Sequence, residues 1–414
     1  MLRRLDPSQI PAVANPVVDQ ETMSVVTTII EAIRNRGESA LREYAEKFDR
    51  LPQDAPLVMD AAQLKRVLDA LPKDERALLE RTAERIATFA HAQRASIGDV
   101  TMPVLGGTAG QEVVPVQRAG CYAPGGRFPL PSSVLMTAIT ARAAGVRDVW
   151  VASPNPSVHT IAAASVAGAN ALLCAGGAQA IAAFAYGAGA IPRVDVIAGP
   201  GNRFVTAAKK IVSGDVGIDM LAGPSELVVI ADESADPSMI AADLLAQAEH
   251  DPDALPVLIT TCVSLADDVN MALAEQLKTL STADTASSAL KRGFCVIVKS
   301  MEEAVEVSDR IAPEHLELLC RNADDVRKRV THYGALFVGS GSAEVFGDYG
   351  IGPNHTLPTG GGSRFAGGLS VFHFLRIRTW LHVDGHADAS MVRDAAELAR
   401  LEGLEAHARS AEKR

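Results

Sequence analysis

The sequence predicts an α/β protein built on parallel sheets, and three observations carry that prediction. Beyond about residue 112, short apolar runs alternate with Ala-rich segments at helical spacing. The runs are almost continuously apolar, as strands covered on both faces are. Most of them end in Gly, Asp or Ser, so strand and helix follow one another at short intervals, the pattern of parallel sheets.

The elements follow in order. Residues 22–94 read as helices: VVTTIIEAIRNRGESALREYAEKFD has apolar residues at helical spacing with a break at Gly37, and a second run extends from Ala61 to about Ala95. The predicted strands are DVWVAS, ALLCAGG, VDVIAGPGN, ELVVIAD, PVLITT, FCVIVKS and GALFVG. Helices are expected between them at 132–144, 178–186, 203–213, 237–250 and 264–279. A polar stretch at 382–390 reads as a connector, and 388–412 as a charged terminal helix. In parallel sheets ligands bind beyond the carboxyl ends of strands, so residues there carry the most weight.

Composition narrows the function. With 414 residues, 48% of them hydrophobic, the chain can fill two or three domains; aromatics make up only 4%, so Ala, Val, Leu and Ile must build the cores. A formal charge of −11 argues against nucleic acid and anionic membrane as partners. No apolar stretch reaches the ~18 residues of a spanning helix. MLRRLDPSQIPAV lacks the apolar centre of a signal peptide. Five scattered Cys without a CxxC read as reduced thiols in a cytoplasmic protein.

Four stretches carry candidate chemistry. GGAQA (176–180) and GPGNRFVTAAKK (199–210) follow strands and open helices, where glycines allow close backbone approach and helix N-termini favour phosphate. Plain turns and an Asn202 N-cap explain them equally well, and neither GxGxxG nor GxxxxGK[ST] occurs. In DPSMIAADLLAQAEH, Asp236 and Pro237 start a helix, and Gln247 and His250 share a face near its end; a His there also suits a dipole partner. IAPEHLELL sets Glu314 beside His315, apparently opening a helix, as a proton-transfer pair or as an acidic first turn with a surface His. EGLEAHARS adds Glu402, Glu405 and His407. A Gly/Pro-rich loop, GDYGIGPNHTLPTGG (347–361), presents Asp348 and His355. Two His, an Asp and an amide oxygen suit Zn²⁺ with room for substrate, provided these segments converge.

Together the stretches YAPGG, GGAQAIAA, GPGN, AGPSE, QAEH, PEHLEL, GDYGIGPNHTLPT and EGLEAH resemble the histidinol dehydrogenase family, in the family's order over residues 120–407. The resemblance implies oxidation of L-histidinol to L-histidine in two NAD-linked steps through an aldehyde. It implies Zn²⁺ held by Gln247, His250, Asp348 and His407, with Glu314 and His315 as the acid/base pair. Ser225, His355 and Glu402 would contact substrate, with Ser133 a further candidate; Tyr122, Gln179 and Asn202 would contact NAD. The implied fold is two incomplete Rossmann-like parallel-sheet domains, one from 1–117 with 225–369 and the other, NAD-binding, from 118–224. A helical tail, 370–414, would be exchanged in a homodimer. The related sulfopropanediol dehydrogenases are also similar, at GCYAP, Trp380 and LEGLEAHARS, and share the catalytic set. At this point the substrate stays open between histidinol and another polar alcohol such as 2,3-dihydroxypropane-1-sulfonate. A non-catalytic binding protein is disfavoured because every implied ligand and both acid/base residues are present.

Overall fold

The structure is a computed structural model that describes residues 1–10, 18–125, 129–385 and 387–414. Gly126 of YAPGG, Pro11–Val13 of the opening segment and His386 of the expected connector lie outside these residues.

In chain order, β1 is Arg3–Leu5, α1 Gln20–Arg36, α2 Glu38–Asp49, β2 Val58–Asp60, α3 Ala61–Ala70 and α4 Lys73–Ala95. Gly37, at φ 57°, breaks α1 from α2 where the sequence placed a break. Next come β3 (Val100–Val104), β4 (Gly107–Pro115), β5 (Arg118–Tyr122), α5 (Pro131–Ala144), β6 (Asp148–Ala152), α6 (Val158–Val166) and β7 (Ala171–Leu173). They are followed by α7 (Gly177–Tyr186), β8 (Val196–Ala198), α8 (Arg203–Val212), β9 (Gly217–Ile218), β10 (Glu226–Ala231), α9 (Pro237–His250) and β11 (Leu255–Thr260). The remainder comprises α10 (Val263–Gln276), α11 (Ala283–Arg292), β12 (Phe294–Ile297), α12 (Met301–Ile311), β13 (His315–Leu319), α13 (Ala323–Arg327), β14 (Ala335–Val338), α14 (Glu344–Asp348), β15 (Leu375–Val383), α15 (Ala389–Leu401) and α16 (Glu405–Glu412).

Two six-stranded sheets organise the chain. The first runs β1-β12-β11-β10-β13-β14, all parallel; the second runs β2-β7-β6-β5-β8-β9, parallel except for β2 at its edge. Each has apolar cores on both faces, which explains strands without alternation. In the second sheet the order reverses between β5 and β8, so the crevice for a ligand opens at the carboxyl ends of those two strands.

Three elements differ from the sequence reading. PEHLELL does not open a helix: His315–Leu319 is a central strand, buried along its whole length. A third sheet, antiparallel in the order β15-β4-β3, was not anticipated, and its strand β15 extends into the stretch expected to be a connector. The terminal helix is two helices, broken at Gly403 (φ 78°). The division of the chain also differs. Of residues 1–117, β1 joins the first sheet, but β2 pairs with β7 and the helices α1–α4 contribute to the two cores of the second. These helices bury their apolar stripes mainly on the helices that flank the second sheet: α1 on α7 and α8, α2 on α7, α3 on α6 and α4 on α5.

Candidate active site

The candidate acid/base pair stands at the amino edge of the first sheet, not the carboxyl edge that the sequence reading favoured. β10 begins at Glu226 and β13 at His315, with Leu227 opposite His315 in parallel register. Helix α9 runs back from the far end of β10, so its last turn, with Gln247 and His250, returns to this same edge. Short helix α14 after β14 brings Asp348 there as its final residue.

Glu226 fixes the pair. Its backbone N–H donates to Glu314 Oε2 at 2.8 Å, and its carbonyl accepts from His315 Nδ1 at 3.0 Å. Because a carbonyl only accepts, Nδ1 carries the imidazole proton and Nε2 of the neutral ring is left as an acceptor. Nε2 faces Glu344 Oε1 at 3.6 Å, and Glu314 Oε2 lies 3.6 Å from Nδ1. Burial pushes His315 down to about 4, so its ring is neutral at pH 7. Burial also drives Glu314 well above the usual carboxylate range, opposed by the Glu226 N–H and reinforced by the charges of Glu226 and Asp348.

Asp348 stands between two histidines. Its carboxylate lies 3.4 Å from His250 Nε2 and 3.8 Å from His355 Nδ1. Burial alone would raise this carboxyl, but the hydrogen bond from His250 and the charges of His355 and His315 hold it below the usual range. The same hydrogen bond raises His250 against the opposing effect of burial, whereas burial lowers His355. One turn before His250, Gln247 is 0% exposed and neither atom of its amide has a partner. A buried amide without a hydrogen bond is costly, so this one is available to a ligand. His315, Glu344 and Asp348 form a second grouping, with ligand atoms within 4.8 Å of one another.

The loop 354–360 ties the site to the second sheet. Asn354 Nδ2 donates to the Met136 carbonyl and Thr140 Oγ1 on α5 at 2.8 and 3.1 Å, while Gly360 N–H donates to Glu226 Oε1 at 3.0 Å. An irregular, Gly/Pro-rich segment is needed because no helix or strand meets both edges at once. Ser225 adjoins Glu314, His355 lies against Ser132, and Ser133 is buried with its hydroxyl unpartnered. A cavity of about 460 Å³ opens onto His315 and His355.

Tyr122, Gln179 and Asn202 gather at the carboxyl edge of the second sheet, after β5, β7 and β8. Tyr122 Oη accepts from Gly177 N–H at 3.1 Å, leaving its own O–H to donate. Asn202 caps α8, its Oδ1 accepting from the N–H groups of Phe204 and Val205. Gly199, at φ 130°, closes on β5 so tightly that a Cβ would come within 2.0 Å of the Tyr122 carbonyl.

Glu402 and His407 are exposed on the tail, whose small core is formed by α15 and α16 against each other. Within one chain the structure does not bring them to the cluster around Asp348. Sequence reasoning missed Glu226, Glu344 and Glu317, whose Oε1 accepts from Glu344 N–H at 2.8 Å. Glu226 and Glu317 had a signal, as members of the stretches AGPSE and PEHLEL; Glu344 carried none that distinguished it from a surface acid.

Comparison with known proteins agrees with this fold. The histidinol dehydrogenase family model matches residues 14–414. A histidinol dehydrogenase from Parasynechococcus marenigrum is 46% identical over 398 residues, covering 94% of this chain and 90% of that protein. One from Thermus thermophilus is 44% identical over 394 residues, covering 95% and 94%. The crystal structure of histidinol dehydrogenase from Elizabethkingia anophelis superposes with a TM-score of 0.92 at 31% identity, covering 99% of this chain and 97% of that one. The chain belongs to the histidinol dehydrogenase family.

Proposed function

We propose that this chain oxidises L-histidinol to L-histidine by two successive two-electron steps, alcohol to aldehyde and hydrated aldehyde to carboxylate. NAD⁺, when bound at the carboxyl edge of the second sheet, supplies the acceptor for each hydride. A divalent ion such as Zn²⁺, when held by Gln247, His250 and Asp348, supplies charge to hold and polarise the substrate. The ion's fit rests on the unpartnered Gln247 amide and on a donor set of imidazole, carboxylate and amide, to which His407 of a second copy would add the fourth group. The grouping of His315 with Glu344 is the weaker alternative, because Nδ1 already donates to the Glu226 carbonyl and Nε2 is the acceptor that proton transfer needs.

The single observation that carries the reading is the Glu314–His315 pair, buried and pinned by the Glu226 backbone beside the Asp348 cluster. His315 Nε2, free to accept, takes the alcohol proton in the first step. Glu314 takes a proton from water as it adds to the aldehyde in the second. His355, Ser225 and Ser133 would orient the substrate, joined by Glu402 of the neighbouring subunit. Tyr122, Gln179 and Asn202 would position the dinucleotide. Glu402 and His407 reach a site only by crossing to another copy, which supports a homodimer with exchanged tails. No helix among the described residues is long and apolar enough to cross a membrane.

Histidinol is preferred over the sulfonate alternative because the relatives at 46% and 44% identity are histidinol dehydrogenases. Purified protein offered NAD⁺ with histidinol, 2,3-dihydroxypropane-1-sulfonate and simple amino alcohols should form two NADH per histidinol and leave the others largely untouched. Preference for the sulfonate would overturn the substrate. Elemental analysis after dialysis should find about one divalent ion per chain, and His250→Ala should lose it. Full occupancy in that variant would remove His250 from the ligand set.

A further inference from the structure

Helix α7 begins with two backbone donors already engaged by the protein itself. Gly176 N–H donates to Asp49 Oδ2 at 2.8 Å, and Gly177 N–H donates to Tyr122 Oη at 3.1 Å. Asp49 is the last residue of α2, a helix from the N-terminal layer, and its carboxylate also accepts from Gln179 Nε2 at 3.0 Å. A carboxylate has no proton to give, so it compels Gln179 to turn its NH₂ inward and leaves the amide oxygen for other contacts. The start of α7 is thereby lined with acceptors and bears a negative charge where an open helix N-terminus would favour phosphate.

In dinucleotide-binding sheets, discrimination commonly rests on an acid shortly beyond the second strand, which takes the ribose hydroxyls, whereas an Arg there accommodates a 2′-phosphate. The second strand after the switch point is β6, and it runs out into Ser153, Pro154, Asn155 and Pro156, with no acid. Pro154 instead packs on Gly176, where a Cβ would come within 2.5 Å of the proline ring. Gly176 is the residue whose N–H Asp49 holds, so Asp49 brings a carboxylate to this neighbourhood from a distant part of the chain.

We propose that Asp49 makes this site select a coenzyme with a free ribose diol over its 2′-phosphorylated counterpart. Its half-buried carboxylate accepts hydrogen bonds from hydroxyls and repels a phosphate, and Gln179, almost fully buried, holds that carboxylate in place. The inference rests on the reading of this edge as the NAD site.

The test is direct binding of NAD⁺ and NADP⁺ by titration calorimetry to the full-length protein and to Asp49→Asn and Gln179→Ala. Asp49→Asn keeps the shape and removes the charge; the ratio of the NADP⁺ to the NAD⁺ dissociation constant should fall by roughly 10- to 100-fold, as loss of a like charge at close range predicts. An unchanged ratio in Asp49→Asn, with Gln179→Ala weakening NAD⁺, overturns the role of Asp49 and leaves the site standing. Unchanged NAD⁺ binding in Gln179→Ala overturns the site and the inference with it. Should Asp49→Asn fail to fold, Asp49→Ser removes the same charge and is read in the same way.

Discussion

Glu226 holds both members of the candidate acid/base pair through its main chain, and its side chain is a buried acid in its own right. Burial pushes that carboxyl up to about 7, against the lowering effect of the Gly360 N–H. A folded-state value above the ordinary ~4.3 means that stability is fully present below about pH 4 and is lost as pH rises toward 7. Glu226→Gln keeps the acceptor for Gly360 and cannot ionise. Relative to the variant, the wild type should therefore lose about 3 kcal/mol between pH 5 and pH 8, at ~1.4 kcal/mol per pK unit. Urea unfolding at the two pH values measures this, and parallel pH dependence of the two proteins would remove the charge from the account. The pair itself predicts a division of labour: His315→Asn should depress alcohol oxidation, and Glu314→Gln mainly the oxidation of aldehyde supplied directly, each by ~10²–10⁴-fold. Near-normal turnover in both variants would refute the pairing. The residues of this pair were legible in the sequence but their element was not. Pro313 followed by an acid looks like a helix start, and buried Glu317 interrupts the apolar run that would have marked a strand.

Among the elements, the turn after β8 shows how the carboxyl edge of the second sheet is held in shape. Gly199 N–H donates to Asp219 Oδ2 at 2.8 Å, and its carbonyl accepts from Lys209 Nζ at 3.1 Å. Lys209 and Asp219 are themselves paired, 3% and 0% exposed at the side chain. One ion pair thus clamps both faces of a single glycine between β8 and α8. Lys209→Met would leave Asp219 buried without its cation, a loss of ~3–5 kcal/mol. Gly199→Ala should abolish dinucleotide binding, because its Cβ meets the Tyr122 carbonyl and the turn must move. Binding of NAD⁺ to Gly199→Ala at wild-type strength would mean that the turn is not part of the site. The parallel strands were legible because both faces are buried, so each is an unbroken apolar run. The antiparallel sheet was not. Its strands β3 and β4 carry Pro103, Gly107 and Gly110; β3 is largely exposed and β4 half-buried, so neither period nor hydrophobicity marks them.

At the scale of the whole molecule, the second half of the candidate site is missing from the chain that carries the first. Glu402 and His407 lie on the segment of α15 and α16, whose buried residues among those described pack on each other, with Leu398 59%, Leu401 85% and Leu404 43% exposed. The sheet that leads to the tail is similarly uncovered, with Ile377 55% and Leu381 65% exposed on β15 and Met102 54% on β3. Exposed apolar residues on both the sheet and the tail suit a partner surface. A second copy would supply it, each fully buried leucine contributing roughly 1.5–3 kcal/mol, and would deliver His407 and Glu402 to the cluster around Asp348. Catalysis then requires the dimer. Two inactive variants, His250→Ala and His407→Ala, carry their lesions in different halves of the site. Co-expressed, they should form heterodimers in which one site has both lesions and the other has neither, so each heterodimer recovers up to half of the normal activity. Differently tagged subunits allow the heterodimer to be isolated before assay. An isolated heterodimer with no activity would mean that the tail serves its own subunit, and the exchange would have to be abandoned.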